Sequence, residues 1–558
     1  LTSSSIRNRL LAGVAALFVV RLVLSLIRTG PVLVADELGY LGNARVLAGD
    51  LAAQLQLAPF YRGGYSLLLA PLLALTSDPE LAYRLTLILN ALLAAAVFPL
   101  LYLLLNRFVG VEARTALWVS FAGAAYPAVT VLSQVAMSEN ALYPLVCAWL
   151  LCFAGLLAGG GGRRSELPWA LGLGACTGAL WSVHNRMGMA VAIALVALVW
   201  MGARRRIDRG AAVAGIAVIA LALLGTHFLD DFLMRENYGP GAEAEASNRL
   251  DEITTGHGLL TAVANLVGQS WYLLVATFGL VAVAASDFLA RRREPADVGR
   301  QILGVLLLLT LLLVAISAAA FPERTRPDML IYGRYTEIVA PALIAFGLLA
   351  LPRWRRSLRP LPWALGFGAF TALVVLIRVS ADDPGGANRW NIAALPFVTS
   401  ALGPAILLGA ALVAAAGAVL LVRLSKRPPL AFAVAIGLFL AVTAYGAWNP
   451  VRSSQRAVYP DGWSSPETVA AENDIDRVEY DMRSYDTIGL YVTQWYLPET
   501  TVGLFGRARV ADDARYVISS EDWRREQREP GARELWSDAG RDQVIWQLAA
   551  PGGGRNGR

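Results

Sequence analysis

Charge is what this chain has least of. Of its 558 residues only 16% are Asp, Glu, Lys or Arg, against roughly 25% in an ordinary soluble domain. With 56% of residues hydrophobic and a mean hydropathy of +0.51, a single soluble core is excluded, and most of the apolar surface must face lipid. Cysteine is scarce too: Cys147, Cys152 and Cys176 are the only three, all inside apolar runs. That excludes a disulfide framework and a Cys-rich zinc site, and leaves them as small packing residues. Lysine occurs once, as Lys426, among 48 basic residues. The arginines cluster in short loops between apolar runs, where charge reports membrane orientation, so no nucleic-acid partner is implied. The runs show no internal repeat of the kind that marks two homologous transporter halves.

What is abundant is apolar length. The first run, 10–27, follows Arg7 and Arg9, shows no small-residue cleavage site, and reads as an anchor entering the membrane from the cytoplasm. Runs of spanning length, about 20 residues for a roughly 30 Å hydrocarbon layer, follow near 81–105, 115–134, 140–158, 167–183, 187–202, 211–229, 259–285, 302–321, 336–351, 361–379, 403–422 and 430–448. The expectation is an all-α polytopic membrane protein of about 13 transmembrane helices with a cytoplasmic N-terminus. The run 64–76 contains Pro71 and is too short to span, so it reads as re-entrant or interfacial. With that parity the arginine clusters at 204–206, 291–293, 353–356 and 423–427 share the cytoplasmic side, in accord with the positive-inside rule.

The membrane domain is thus 1–448, with external loops 28–80, 230–258, 322–335 and 380–402. From Asn449 the composition turns mixed, with strand-like pieces at 501–505 and 515–518 and a helix-like stretch near 485–496. Residues 449–558 read as a small extracytoplasmic α/β domain ending in a disordered Gly-rich tail, 551–558. Its tryptophans, Trp463, Trp495, Trp523, Trp536 and Trp546, suit either its core or stacking on sugar rings.

The chemistry-bearing residues gather in the external loops. Asp36 and Glu37 form an acidic pair in the loop after the first run, followed by an interfacial helix at 41–51. Then come Tyr61-Arg62-Gly63-Gly64-Tyr65, the short apolar run, and Glu80-Leu81-Ala82-Tyr83-Arg84. Further on, Ser138-Glu139-Asn140 opens one span, and Gly333-Arg334-Tyr335 precedes another. In this order the sequence resembles the GT-C superfamily of membrane glycosyltransferases. The likeness is to the polyprenyl-phosphate-sugar-dependent branch of protein mannosyltransferases, aminoarabinose transferases and arabinosyltransferases. It covers about residues 10–350. It departs at His184-Asn185-Arg186, where relatives often carry Lys-Gly or Arg-Pro, and the Asp-Glu pair is not the Asp-Asp usual in the arabinosyltransferases.

The resemblance implies transfer of a monosaccharide from a polyprenyl-phosphate donor to an extracytoplasmic glycan, lipid or protein, at a bacterial plasma membrane. Such a donor already carries a good leaving group. The reaction needs one base for the acceptor's proton and cations for the departing phosphate. Asp36 is the expected general base. Glu37, its neighbour, faces another way and orients a nearby group or cation. A single displacement inverts the anomeric centre, whereas a double displacement needs a second, opposed carboxylate. For the phosphate, arginine's planar fork is favoured: the candidates are Arg334 with Tyr335, then Arg62 and Arg84. Glu139, His184, Arg186 and Tyr61 are further substrate-binding candidates. His184, His227 and His257 lack short ligand spacing, so no metal site is assigned, and a divalent cation stays open. The alternative function is a translocator of lipid-linked saccharide or another amphiphile. Its expected signs are mid-membrane ionisable groups and repeated halves.

Overall fold

Long apolar runs become helices because backbone groups in lipid must be satisfied within their own segment, and the computed structural model of the chain is built mainly of them. The structure describes residues 3–32, 34–50, 55, 59–159, 163–238, 255–291, 297–321, 326–356, 361–381, 388–396, 403–446, 452–459, 463–483, 487–506, 510, 513–523, 531–538 and 542–549. The expected tail 551–558 and parts of all four expected loops (33, 51–54, 56–58, 239–254, 322–325, 382–387 and 397–402) lie outside the described residues.

Among the described residues, 10 helices are long and apolar enough to cross a membrane, from Ser4–Ser25 and Pro79–Phe108 to Pro404–Leu424 and Pro428–Gly446. Val196, Leu221 and Leu311 are exposed on three of them, an apolar surface that lipid accommodates and water does not. Two expected spans are interrupted. The run 115–134 divides into Ala113–Ala124 and Pro127–Leu132, because Pro127 has no N–H to continue the ladder and opens a new helix instead. The run 259–285 divides into Gly256–Ala276 and Leu280–Ala290 around Phe278 and Gly279. Gly279 has a φ of 73°, the left-handed geometry that ends a helix. Arg163–Val183 is helical yet not among the ten, so the expected count of about 13 is not matched one for one. The Gly63–Leu73 helix has 11 residues, too few to span.

Asp36 and Glu37, expected in a loop, lie in the first turn of the Val34–Leu47 helix. Acidic side chains there are stabilised by the unpaired N–H groups and the positive end of the helix dipole. The interfacial helix expected at 41–51 therefore starts earlier.

By its internal contacts the chain divides into two compact units: 1–26 with 87–227 and 244–452, and 27–86 with 228–243 and 453–558. The first holds most of the apolar helices. The second contains β1 (Arg477–Asp481), β2 (Thr501–Phe505), β3 (Tyr516–Ser519), β4 (Arg533–Asp538) and β5 (Gln543–Gln547), in the sheet order β2-β1-β3-β5-β4. β1 runs parallel to β2 and β3, and the Thr487–Tyr496 helix makes the crossover to β2 that a parallel pair requires. β5 is antiparallel to β3 and β4. Trp523 and Trp546 are core, packed with Phe505, Val517 and Val544.

Candidate active site

In the second unit, Asp36 is partly exposed, and its Oδ1 accepts a hydrogen bond of 2.9 Å from the Tyr61 hydroxyl. Burial, and then the charge of Asp36, pushes the Tyr61 phenol well above its ordinary range, so it stays a donor. Glu37 points elsewhere and is fully buried. Its Oε1 accepts from the Tyr83 hydroxyl and its Oε2 from the Val32 N–H, both at 2.7 Å. Arg28 is buried within electrostatic range of Glu37: desolvation lowers its pKa, while Tyr83 and Glu37 oppose that shift. Glu37 therefore ties the chain before its helix to the start of the Pro79–Leu103 helix, while Asp36 keeps access to solvent.

Two arginines of this unit are already balanced. Arg62 pairs with Asp230 at 3.4 Å, and the Gly63 N–H donates to the same carboxylate at 3.3 Å. Arg84 is 60% exposed and pairs with Glu80, one turn earlier on its own helix, at 3.6 Å, a contact of little energetic weight.

In the first unit five of the expected site residues meet. Glu139, fully buried, opens the Glu139–Ala158 helix. Its Oε1 accepts from Arg186 Nη2 at 2.8 Å and from Arg334 Nε at 3.0 Å. The Arg186 guanidinium lies 4.4 Å over the Tyr335 ring, and the His184 ring meets the same tyrosine edge-on at 5.5 Å. His184 Nδ1 accepts the Arg186 N–H at 3.2 Å, which leaves the ring proton on Nε2. Burial, reinforced by the charge of Arg186, holds this imidazole well below its ordinary pKa, so it is neutral.

Here two guanidinium groups share one carboxylate oxygen. Arg186 Nε and Nη1 are buried with no hydrogen-bond partner among the described residues. Buried donors in that state are costly, and they call for an acceptor. A second buried acid, Glu337, stands within electrostatic range of Arg334, but its Oε1 is engaged by the Tyr272 hydroxyl and the Ala394 N–H.

Arg334 is placed by backbone contacts. The Asn391 carbonyl accepts the N–H groups of Gly333 and Arg334 at 2.8 and 3.1 Å. Asn391 in turn donates to Asp328 at 2.7 Å, and Asp328 also takes the Asn388 N–H at 3.2 Å. A Cβ on Gly333 would fall 1.9 Å from the Tyr272 ring, so only glycine lets the chain pass there.

Sequence reasoning gave no role to Tyr83 and Gly333, although both lie in the quoted motifs; it missed Arg28 and Gly39, whose Cβ would fall 2.2 Å from the Tyr61 ring, in one cluster and Asp328, Asn391 and Glu337 in the other. The two glycines had a signal, since each lies within three residues of a charged motif residue, and such a glycine marks close approach. Asp328 and Asn391 are 63 residues apart and had none. Among the described residues no three His, Cys, Asp or Glu side chains gather as a metal site. His227 and His257 are exposed.

No protein-family model matches the chain, and no curated protein does. Solved structures do. ArnT from Cupriavidus metallidurans bound to undecaprenyl phosphate superposes with a TM-score of 0.56 over 98% of each chain, at 14% sequence identity. Its apo state gives 0.56 over 97% of this chain and 98% of that one, at 15% identity. The archaeal oligosaccharyltransferase AglB from Archaeoglobus fulgidus gives 0.43 over 91% of this chain and 69% of that one, at 12% identity. The chain thus has the fold of ArnT, a membrane fold of the kind that its sequence resemblance implied.

Proposed function

We propose that the chain is an integral-membrane glycosyltransferase that moves a monosaccharide from a polyprenyl-phosphate donor to an extracytoplasmic glycan, lipid or protein. The observation that carries this is the buried Glu139–Arg186–Arg334 cluster, where Arg186 keeps two donors without a partner among the described residues. A phosphate oxyanion supplies the missing acceptors and charge, and guanidinium forks match it bidentately. The fold is that of ArnT, whose structure holds undecaprenyl phosphate, a ligand of this class.

In this reading Asp36 takes the proton from the acceptor hydroxyl as that oxygen attacks the anomeric carbon. The bond from that carbon to the phosphate oxygen breaks, and the polyprenyl phosphate leaves with the electron pair. Cations offset the charge that develops on it. One displacement inverts the anomeric centre. Tyr61 orients the Asp36 carboxylate, and Tyr335 supports Arg186 through its ring. The setting is a bacterial plasma membrane, with Asp36 and the C-terminal segment on the outer side.

The test is sugar transfer by the purified full chain in liposomes, with a panel of synthetic polyprenyl-phosphate sugars and membrane glycan extract. Wild type is expected to consume one donor and Asp36→Asn to lose about 10²-fold or more, the scale of a general base. Full activity in Asp36→Asn removes that residue from the mechanism. Absence of transfer together with movement of lipid-linked saccharide across the bilayer establishes a translocator instead.

A further inference from the structure

The helix that carries Asp36 is held at both of its ends by the C-terminal segment of the chain. Ahead of it, Gln455 donates to the Thr29 hydroxyl and Tyr459 donates to the Pro31 carbonyl at 2.8 Å. Gly30, between them, passes so close that a Cβ would meet the hydroxyls of Tyr496 and Tyr459 at 2.1 and 2.5 Å. At the other end, Arg45 lies in the last turn of the Val34–Leu47 helix and is buried. Its Nη1 donates to the Gln494 carbonyl at 2.9 Å and its Nη2 to the Trp495 carbonyl at 2.6 Å, while its guanidinium lies 4.2 Å over the Trp495 ring.

Each of these contacts has a physical reason. Gln494 and Trp495 belong to the last turn of the Thr487–Tyr496 helix, where carbonyls lack intrahelical partners and the dipole favours a cation. A guanidinium answers both needs at once and adds ring stacking; an ammonium cannot span two carbonyls with a planar fork. Between the two ends, the Trp495 ring lies 6.4 Å from the ring of Tyr83, whose hydroxyl holds Glu37. The C-terminal helix thus touches the neighbour of Asp36 through a single intermediate side chain.

We propose that Arg45 is a positioning residue: by clamping the carboxyl end of the Thr487–Tyr496 helix it fixes the helix that carries Asp36. The C-terminal segment is then an integral part of the Asp36 site and not an appended module. This rests on the reading of Asp36 as the base, and the experiment separates the two.

The full chain in lipid nanodiscs is compared as wild type, Arg45→Lys, Arg45→Met and, as a control, Glu534→Gln at an exposed position of β4. Amide hydrogen exchange is followed over residues 34–47, and kcat and donor KM are measured with the donor found by the liposome panel. Arg45→Met is expected to raise exchange in 34–47 by about tenfold or more, the scale of one charge-assisted hydrogen bond. Exchange in the membrane helices should stay as in the control. kcat should fall by a similar factor with donor KM unchanged, and Arg45→Lys should recover little of either. Unchanged exchange in 34–47 overturns the clamp. Raised exchange with unchanged kcat overturns its role in positioning. If Asp36→Asn in the same assay is fully active, the catalytic reading fails, and the exchange data still decide the clamp.

Discussion

The ring of Tyr61 lies against Gly39, and that contact lets its hydroxyl reach Asp36. A Cβ on Gly39 would fall 2.2 Å from the ring, and the hydroxyl-to-carboxylate hydrogen bond is 2.9 Å. Gly39→Ala is therefore expected to push Tyr61 off the helix and cost the carboxylate its orientation. Turnover should fall to about the level of Tyr61→Phe, on the order of tenfold for one lost hydrogen bond. Steady-state kinetics on both variants check this, and a fully active Gly39→Ala removes Tyr61 from the argument.

Glu139→Gln keeps an acceptor oxygen but removes the negative charge that balances two buried guanidinium groups. Removing one member of a buried ion cluster costs about 3–5 kcal/mol. The expected result is a large drop in thermal unfolding temperature in nanodiscs, with partial recovery in Glu139→Gln/Arg186→Met, which also removes one of the stranded charges. A drop of no more than a degree would show that the cluster is not buried in the membrane-embedded protein.

His184 sets a pH dependence. Its folded pKa is held below the ordinary value of about 6.5 by burial and by Arg186. The unfolded chain therefore binds this proton more readily than the folded one. The stability that follows is fully present above about pH 6.5 and is lost as the pH falls from there toward the folded value. Unfolding temperature should decline on acidification more steeply in wild type than in His184→Gln. Parallel declines would count against a buried neutral imidazole.

Gly333→Ala places a methyl group against the Tyr272 ring, where there is no room. Overpacking of this kind costs about 1–3 kcal/mol, and relief requires movement of the chain that carries Arg334. We expect lower stability together with a raised donor KM. Normal donor affinity in this variant would separate Arg334 from phosphate binding.

The membrane class was legible because lipid imposes a length rule on every span, and Asp36, Glu139 and Arg334 stood out as charges beside nearly charge-free runs. The interruptions at Pro127 and Gly279 were visible as residues but not as breaks, since apolar runs on both sides continued the hydropathy. Which carboxylate of the Asp36–Glu37 pair is accessible was decided only in three dimensions, by Tyr83 and Val32 closing around Glu37.

The sequence by itself determined the medium in which this protein folds, its helical class and most of the charged residues of the candidate site, because hydrophobicity and spacing are local properties. The tertiary structure alone decided the partners. Glu139 meets Arg186 and Arg334 across 47 and 195 residues, and Arg45 meets Trp495 across 450. Contacts at such separations arise from packing, which no local pattern encodes.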